Sequence, residues 1–275
     1  MKYLDIGCEQ FIDVSRKLIR VSGKDAKKFL QGILTNDINE AACSVIYSGI
    51  LSPQGKYLFD FFVWNFNEEE FVIDIDERRA EDFKNTLNLY RLRSDVLISD
   101  SNQKVLLGLD MQSPSSSIDP RNSKLGWRKL VEEGFDIEKL NRNEDLVKKY
   151  EERRIELCVP KYGHELIPNE SYILELGFDK LNGVSFTKGC FVGQEVTSRM
   201  KHKTSLKNGI IRFRNAPNFS LKNNTIYNEK GQKAGVMSSS INGMGLGLVK
   251  FLYAKGKLIC AGNELDVLEE ISGSV

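Results

Sequence analysis

The chain has few cysteines, and they are not spaced like metal ligands or disulfide partners. There are five of them among 275 residues, an odd number without a C-x-x-C pair. Such scattered cysteines argue against a disulfide framework and against a metal site that this chain could build alone, and they are typical of a reducing compartment. The positions are Cys8, Cys43, Cys158, Cys190 and Cys260.

Long apolar runs and an excess of one charge are also missing. No stretch approaches eighteen apolar residues, so we expect no transmembrane helix and no membrane partner. The first nine residues carry acids and lack the apolar core of a secretory signal. We therefore predict a soluble, cytoplasmic protein. Because 39 Lys and Arg nearly balance 38 Asp and Glu, the overall charge gives no reason to expect nucleic acid as a partner.

The first 110 residues alternate strand patterns with amphipathic helix patterns. One helix is predicted from Ser22, which could cap it, through Leu34, and a second helix is predicted after Asp76. This order of strands and helices is typical of a mixed, largely antiparallel α+β sheet. The predicted strands cover residues 17–21, 44–51, 56–66, 71–75, 95–99 and 104–109.

Two changes of pattern divide the rest of the chain. Residues 111–124 are rich in proline and serine and predict a break between two subdomains. A charged helix is predicted at 136–157. The chain then ends in short strands separated by glycine and asparagine, which are typical of a small antiparallel barrel. We therefore predict an α+β region over residues 1–203 and a β-barrel domain over residues 204–275.

One short segment predicts chemistry. Residues 188–195 read KGCFVGQE, and an apolar helical pattern follows. If Cys190 lies near the first turn of that helix, the helix dipole and Lys188 both favour a thiolate over a thiol. Gly189 and Gly193 have no Cβ, so a ligand, a cluster or another backbone could approach the sulfur closely. The alternative is a buried structural cysteine, the commoner role of this residue type.

This segment resembles the K-G-C-[YF]-x-G-Q-E motif of the YgfZ family. Those proteins bind folate, act in the maturation of iron–sulfur proteins, and are related in fold to the aminomethyltransferase, or T-protein, of the glycine cleavage system. Shorter matches to the family follow one another along nearly the whole chain. They are VSGKDA at 21–26, FLQG at 29–32, TND at 35–37, LSPQGK at 51–56, YRLR at 90–93, IPNE at 167–170 and Arg199.

The resemblance implies a T-protein-like multidomain arrangement around a central folate pocket. The implied function is support for the assembly or repair of iron–sulfur proteins, with tetrahydrofolate or a one-carbon derivative as cofactor. Cys190 would be the essential thiol, with Lys188 beside it. Clusters normally take four ligands, so Cys190 could hold a transient cluster only together with a partner or a second copy of the chain. The implied partners are reduced folate and iron–sulfur assembly or client proteins.

Two positions depart from the family pattern. Phe191 stands where the family often has tyrosine, so no phenol hydroxyl is available there. Asn169 stands where the family commonly has glutamine, a milder change because both side chains are amides.

Several residues are candidates for folate binding. Asp60 lies within an aromatic strand, near the position where the T-protein family carries the aspartate associated with the reactive end of folate. Strand alternation could instead direct it to solvent. Arg91 or Arg93, at a predicted helix end, could bind a carboxylate of the glutamyl tail in bidentate fashion, or simply be solvated there.

The remaining candidates lie in the two family motifs of the second half of the chain. Glu170 could accept the paired N–H donors of a pterin ring, or be an acid at a helix start. Gln194 and Glu195, at the end of the KGCFVGQE segment, complete the set predicted to bind the cofactor.

Three other functions stay open. A folate-dependent aminomethyltransferase would use the same fold. A tRNA-binding accessory factor could use the basic run from Arg199 to Lys203, although that run could equally attract the anionic tail of a polyglutamylated folate. A nucleophile–base pair of Cys190 with His202 lacks any accompanying oxyanion-hole motif.

Overall fold

The computed structural model describes residues 9–42, 44–110, 112–132, 143–216 and 224–270. Two antiparallel sheets with their helices form the larger part of this structure, and a closed barrel forms the C-terminal part. The first half contains the elements β1 Gln10–Ile12, β2 Arg16–Ser22, α1 Ala26–Ile33, β3 Ile46–Leu51, β4 Tyr57–Asn67, β5 Glu70–Asp76, α2 Ala80–Arg91, β6 Leu97–Asp100, β7 Lys104–Gly108, β8 Ser117–Ile118 and β9 Trp127–Val131.

The first sheet has five strands in the order β3-β4-β5-β2-β6. One of its faces packs on α1 and α2, because the apolar positions of these helices recur at helical spacing. Phe83 of α2 lies at the centre of this layer, with its ring centroid 5.3 Å from that of Phe59 and 5.0 Å from that of Phe61. Aromatic contacts at this separation add to the stability that burial provides.

Of the two helix caps predicted from local sequence, one is wrong and one is confirmed. The predicted cap at Ser22 is wrong, because Ser22 is the last residue of β2 and pairs with Glu70 and Leu97 on both sides. Helix α1 begins later, after Asp25. The predicted cap at Asp76 is confirmed, since its carboxylate accepts a hydrogen bond from the Arg78 N–H before a 3₁₀ turn leads into α2.

The second sheet has the order β1-β7-β9-β8. Its last strand, β8, lies within the loop-like stretch 111–124 and pairs with β9, so the second sheet runs through that stretch. The next helix, α3, spans Glu144–Glu156 and is capped by Asn143, whose side chain accepts from the Leu146 N–H. The start predicted at residue 136 lies outside the described residues.

The C-terminal part is a closed six-stranded antiparallel barrel, in the order β10-β13-β12-β11-β14-β15. Its core is apolar, with Ile211, Phe213, Met237 and Leu258 fully buried. The predicted α+β class with a C-terminal barrel is therefore confirmed. Over the described ranges, no helix combines the length and apolarity needed to cross a membrane. The second half contains α3, α4 Gln194–His202, β10 Asn208–Arg214, β11 Thr225–Asn228, β12 Lys233–Ile241, β13 Met244–Lys250, α5 Phe251–Ala254, β14 Leu258–Cys260 and β15 Asn263–Glu270.

A buried ion network joins the two sheets. Asp74 of β5 is fully buried and accepts from Arg16 Nε at 2.5 Å and from Arg128 Nη1 at 2.6 Å. Arg128 belongs to β9, and its Nη2 also contacts Asp119 at 3.2 Å. Because a buried charge is costly unless it is paired, each member of this network fixes the position of the next. The network therefore sets how the two sheets meet.

We expect Asp74→Asn to lower the free energy of unfolding by about 3–5 kcal/mol, because it leaves the buried Arg128 and the partly buried Arg16 guanidiniums without their shared carboxylate. The matched control is Asp82→Asn, which removes an exposed pair with Arg79 and should cost less than about 1 kcal/mol. Urea unfolding of both variants measures the difference. Equal losses would show that the network does not hold the sheets together.

Candidate functional site

A cavity of about 210 Å³, partly open to solvent, lies where the first sheet meets α3. Strands β2 and β4 contribute Arg16, Asp60 and Phe62 to its wall, and α3 contributes Tyr150. The cavity therefore lies against the ion network, between charged groups and aromatic rings. Of the residues predicted to bind folate, Asp60 is the one that lines it.

Two tyrosines hold the Asp60 carboxylate. The Tyr57 hydroxyl donates to Oδ1 at 2.6 Å and the Tyr47 hydroxyl donates to Oδ2 at 3.1 Å. Tyr57 lies three positions before Asp60 in β4, a spacing that normally places two side chains on opposite faces of a strand. A β-bulge between them shifts the pairing of β4 with β3 by one residue, so the two side chains lie on the same face. Burial, and then the Asp60 charge, raise the pKa of both tyrosines well above 10. Both hydroxyls are therefore protonated and donate at neutral pH.

Three guanidiniums surround the Phe62 ring on the floor of the cavity. Their central carbons lie 3.3 Å from the ring centroid for Arg128, 4.7 Å for Arg121 and 5.5 Å for Arg16. Asp119 contacts two of them, at 2.8 Å from Arg121 and 3.2 Å from Arg128. Burial opposes the charge of Asp119, but these two arginines lower its pKa to about 2. The floor is thus a set of ionised, mutually paired groups.

Most of this cavity could not be found from the sequence. Tyr47, Tyr57, Arg121 and Arg128 are absent from the residues predicted to form a site. The signal that marks Asp60, a charged residue inside an apolar strand, also marks Arg128 beside the buried Trp127. The tyrosines carry no such signal, because an aromatic residue in a strand is ordinary.

The structure does not bring the two predicted tail-binding arginines to the cavity. Arg91 is the last residue of α2, and its Nη1 donates to the Val96 carbonyl at 3.2 Å. Arg93 is exposed and lines an open surface depression with Lys28 and Leu92. The left-handed backbone of Leu92, with φ of 49°, ends the helix and separates the two arginines.

Glu170 also lies outside the cavity lining. Its segment runs beside the start of β4, where the Asn169 N–H donates to the Tyr57 carbonyl at 2.8 Å and the Tyr57 N–H donates to the Ser171 carbonyl at 2.9 Å. The Glu170 side chain is exposed. Its backbone carbonyl accepts from Lys56 Nζ at 2.8 Å. The IPNE segment therefore uses backbone hydrogen bonds to support β4, the strand that carries Asp60.

The KGCFVGQE segment forms a second, separate feature. Its Lys188 is buried, and its ammonium donates to the carbonyls of Gln31 at 2.8 Å, Leu34 at 2.6 Å and Asn36 at 2.9 Å. Burial lowers the pKa of Lys188 to about 8, so the amine is still largely protonated at pH 7. Its three donors are thus directed to the end of α1, whereas the sequence predicted a lysine that favours a thiolate beside it.

Cys190 lies before its helix. Helix α4 begins at Gln194, with Gly193 as its N-cap residue, so Cys190 lies close to the first turn, as expected, but outside it. The dipole effect falls off within one turn. Cys190 is exposed, whereas Cys158 and Cys260 are buried. Cys8 and Cys43 lie outside the described residues. The predicted thiolate stays a prediction, and the thiol itself is accessible to solvent.

Two glycines fix the loop that carries this thiol. Gly193 has a left-handed backbone with φ of +82°, and a Cβ there would lie 2.6 Å from the Ser52 carbonyl oxygen. Gly55 has φ of +75°, and a Cβ there would lie 2.7 Å from Val196. The turn between β3 and β4 therefore packs directly on the start of α4. This contact explains why the LSPQGK and KGCFVGQE segments both contain glycine at these positions.

The other motif residues lie on the surface of α4. Gln194 is partly exposed and Glu195 is exposed in the first turn, where an acid suits the helix dipole. In the basic run, Lys201 pairs with Asp179 at 2.8 Å. His202 places its ring against Phe186, with centroids 6.0 Å apart. None of these residues lines the cavity.

Gly193→Ala and Gly189→Ala form a matched pair inside the motif. We expect Gly193→Ala to lower the free energy of unfolding by roughly 1–3 kcal/mol, because it combines backbone strain with a clash. A Cβ on Gly189 would meet no atom within 4 Å, so Gly189→Ala should change stability by less than about 0.5 kcal/mol. Chemical denaturation measures both. Similar losses for the two variants would contradict the described packing.

The chain is similar in sequence to several known proteins. Residues 10–117 match the GCVT N-terminal domain family. The iron–sulfur cluster assembly factor IBA57 homolog of Neurospora crassa is 32% identical over 232 residues, which cover 74% of this chain and 52% of that protein. The human iron–sulfur cluster assembly factor IBA57 is 29% identical over 288 residues, which cover 90% of this chain and 79% of that protein. This chain thus spans about half the length of the fungal relative.

These relatives correct one prediction. Both are named as mitochondrial proteins, so the predicted cytoplasmic location is wrong. The prediction rested on cysteine usage, which distinguishes reducing from oxidising compartments but does not distinguish one reducing compartment from another.

A solved structure shows the fold. The glycine cleavage system aminomethyltransferase T from Bartonella henselae superposes with a TM-score of 0.73, over 96% of this chain and 84% of that protein, at 14% identity. The two sheets with their helices and the C-terminal barrel described above therefore form a T-protein-like fold.

Proposed function

We propose that this protein supports the assembly or repair of iron–sulfur proteins through the thiol of Cys190. The similarity to two iron–sulfur cluster assembly factors supports the proposal. The observation that carries it is an exposed thiol on a loop that is held on both sides. Lys188 anchors one side to α1, and the close packing of Gly193 anchors the other. Such a thiol is accessible to a partner and is held in one place.

The anchoring matters for cluster chemistry. A cluster normally takes four ligands, so one thiolate would share it with a partner or with a second copy of this chain. A shared site requires each donor to be pre-positioned, because every flexible donor adds an ordering cost to the complex. Phe191, next to the thiol, is buried in the core. The neighbours of Cys190 therefore fix its position without covering it.

The second part of the proposal is that the central cavity binds a reduced folate at Asp60. The T-protein-like fold supports it, as does a cavity-lining carboxylate that two tyrosine hydroxyls hold in place. Lys188 then has a structural role, and Glu170, Gln194 and Glu195 act outside this cavity.

A folate-dependent aminomethyltransferase remains the alternative, because it would use the same fold and the same Asp60. An assay with a lipoylated carrier protein and tetrahydrofolate separates the two: transfer that persists in Cys190→Ser would favour the alternative. Binding of tRNA is not proposed, since part of the basic run is already paired, through Lys201 and Asp179.

We expect Cys190→Ser to abolish support for iron–sulfur proteins and to leave the fold intact. The substitution is nearly isosteric and its site is exposed. The measurement is the activity of an iron–sulfur enzyme in cells whose own copy of this gene is replaced by the variant. Thr187→Ala, an exposed change in the same loop, should retain full activity. Full activity of Cys190→Ser would refute a role for the thiol.

We expect tetrahydrofolate to bind the purified protein, and Asp60→Asn to weaken it by roughly 10- to 100-fold, the usual value of hydrogen bonds to a charged group. Calorimetric titration measures this. Asp82→Asn, on the outer surface of α2, and Cys190→Ser should both bind like the natural protein. Absence of any binding would remove the folate part of the proposal and leave the role of Cys190 untouched.

A further inference from the structure

In the lining of the cavity, the cationic side chains are paired with carboxylates, whereas the Asp60 carboxylate is bonded to hydroxyls. All five cationic side chains in its described lining already contact a carboxylate within 4.0 Å. The pairs are Arg16 with Asp74, Arg121 with Asp119, Arg128 with Asp74 and Asp119, Arg154 with Glu151 and Glu165, and Lys161 with Glu151. An incoming anion would have to compete with these buried partners, which is unfavourable because it would leave a buried carboxylate unpaired.

Asp60 is in a different situation. The hydrogen bonds that it accepts come from hydroxyls, one on each oxygen. Each carboxylate oxygen has about two lone-pair directions, so each Asp60 oxygen keeps a further direction for a donor. The cavity thus has spare capacity to accept N–H groups and little spare capacity to bind a carboxylate.

The size of the cavity agrees with this division. Its volume of about 210 Å³ is below the roughly 300 Å³ at which sites for drug-sized ligands begin. This size suits a bicyclic head, and because the cavity is partly open to solvent the remainder of a folate would extend out of it. The two arginines that the sequence suggested for the glutamyl tail, Arg91 and Arg93, lie outside the cavity lining. The structure therefore offers no cationic anchor for the tail at this site within the described part of the chain.

We propose that the cavity recognises the N–H-rich pterin head alone, so that an unconjugated reduced pterin is a ligand in its own right and the glutamyl tail adds little. This inference deepens the proposed folate site and rests on it. Asp60 accepts the N–H donors of the head. The apolar part of the wall, including Phe11, Ile12 and Phe62, packs against the ring.

The experiment is a calorimetric titration of the full chain with three ligands: tetrahydrofolate, its triglutamate form, and 6-methyltetrahydropterin. We expect dissociation constants within about threefold of one another, with no change in their ratios between low and high salt, since no tail charge is bound. Asp60→Asn should weaken all three by the same factor. Tyr57→Phe, a milder change that removes one hydroxyl holding Asp60, should weaken all three less.

The possible outcomes distinguish failure of the pterin inference from failure of the folate site. If tetrahydrofolate binds but the unconjugated pterin binds more than about thirtyfold weaker, the tail is recognised and the inference fails while the folate site stands. The inference also fails, and the folate site again stands, if Arg93→Ala weakens tetrahydrofolate and its triglutamate but not the pterin. If none of the three binds, the folate site and the inference both fail.

Discussion

The placement of Asp74 between two arginines is the interaction on which the rest of this structure depends. A fully buried carboxylate is tolerated only if its charge is compensated. Arg16 and Arg128 provide that compensation from two different sheets. Asp119 and Arg121 extend the chain of pairs, and the two neighbouring arginines lower the pKa of Asp119 despite its burial. These pairs fix how the two sheets meet, and the cavity lies beside them, at Phe62.

The same principle, a buried charge satisfied by fixed partners, acts a second time at Lys188. Its ammonium accepts no hydrogen bond and needs acceptors for all its donors. The three carbonyls that receive it belong to the end of α1 and the loop after it. Two residues after Lys188, Cys190 is exposed to solvent. A lysine next to a reactive cysteine thus has a mechanical role, because it determines where the thiol is held.

Much of the fold could be predicted because it follows from local periodicity. The hairpin of β3 and β4, the cap at Asp76 and the strands of the barrel all carry their signals within a few residues. The cavity carried one such signal, the acid at Asp60. The partners of Lys188 lie 152 to 157 residues away in sequence, and no local pattern indicates them. The predicted start of α1 was wrong for a related reason. Ser22 has the side chain of a good helix cap, but it is held in β2 by pairing with strands on both sides.

The resemblance of short motifs to those of a known family indicated residues of both candidate sites, but it did not indicate that the two sites lie apart. YRLR and IPNE were expected to converge with Asp60 on one ligand. Instead, Arg91 bonds the backbone at Val96, and the IPNE segment braces β4 from outside. Motifs indicate which residues a fold needs, and a residue can be needed for packing as much as for binding. Here the glycines and the lysine of KGCFVGQE serve packing, and Cys190 is the residue that packing leaves exposed.

The central claim is that the thiol and the cavity are two separate sites on one fold. No residue of the KGCFVGQE segment lines the cavity. The most direct test is the rate at which iodoacetamide alkylates Cys190, followed by peptide mass spectrometry with and without saturating tetrahydrofolate. Two separate sites predict equal rates, and buried Cys158 and Cys260 should react far more slowly in both samples. Protection of Cys190 by the ligand would show that thiol and cofactor share one site, and would contradict this separation.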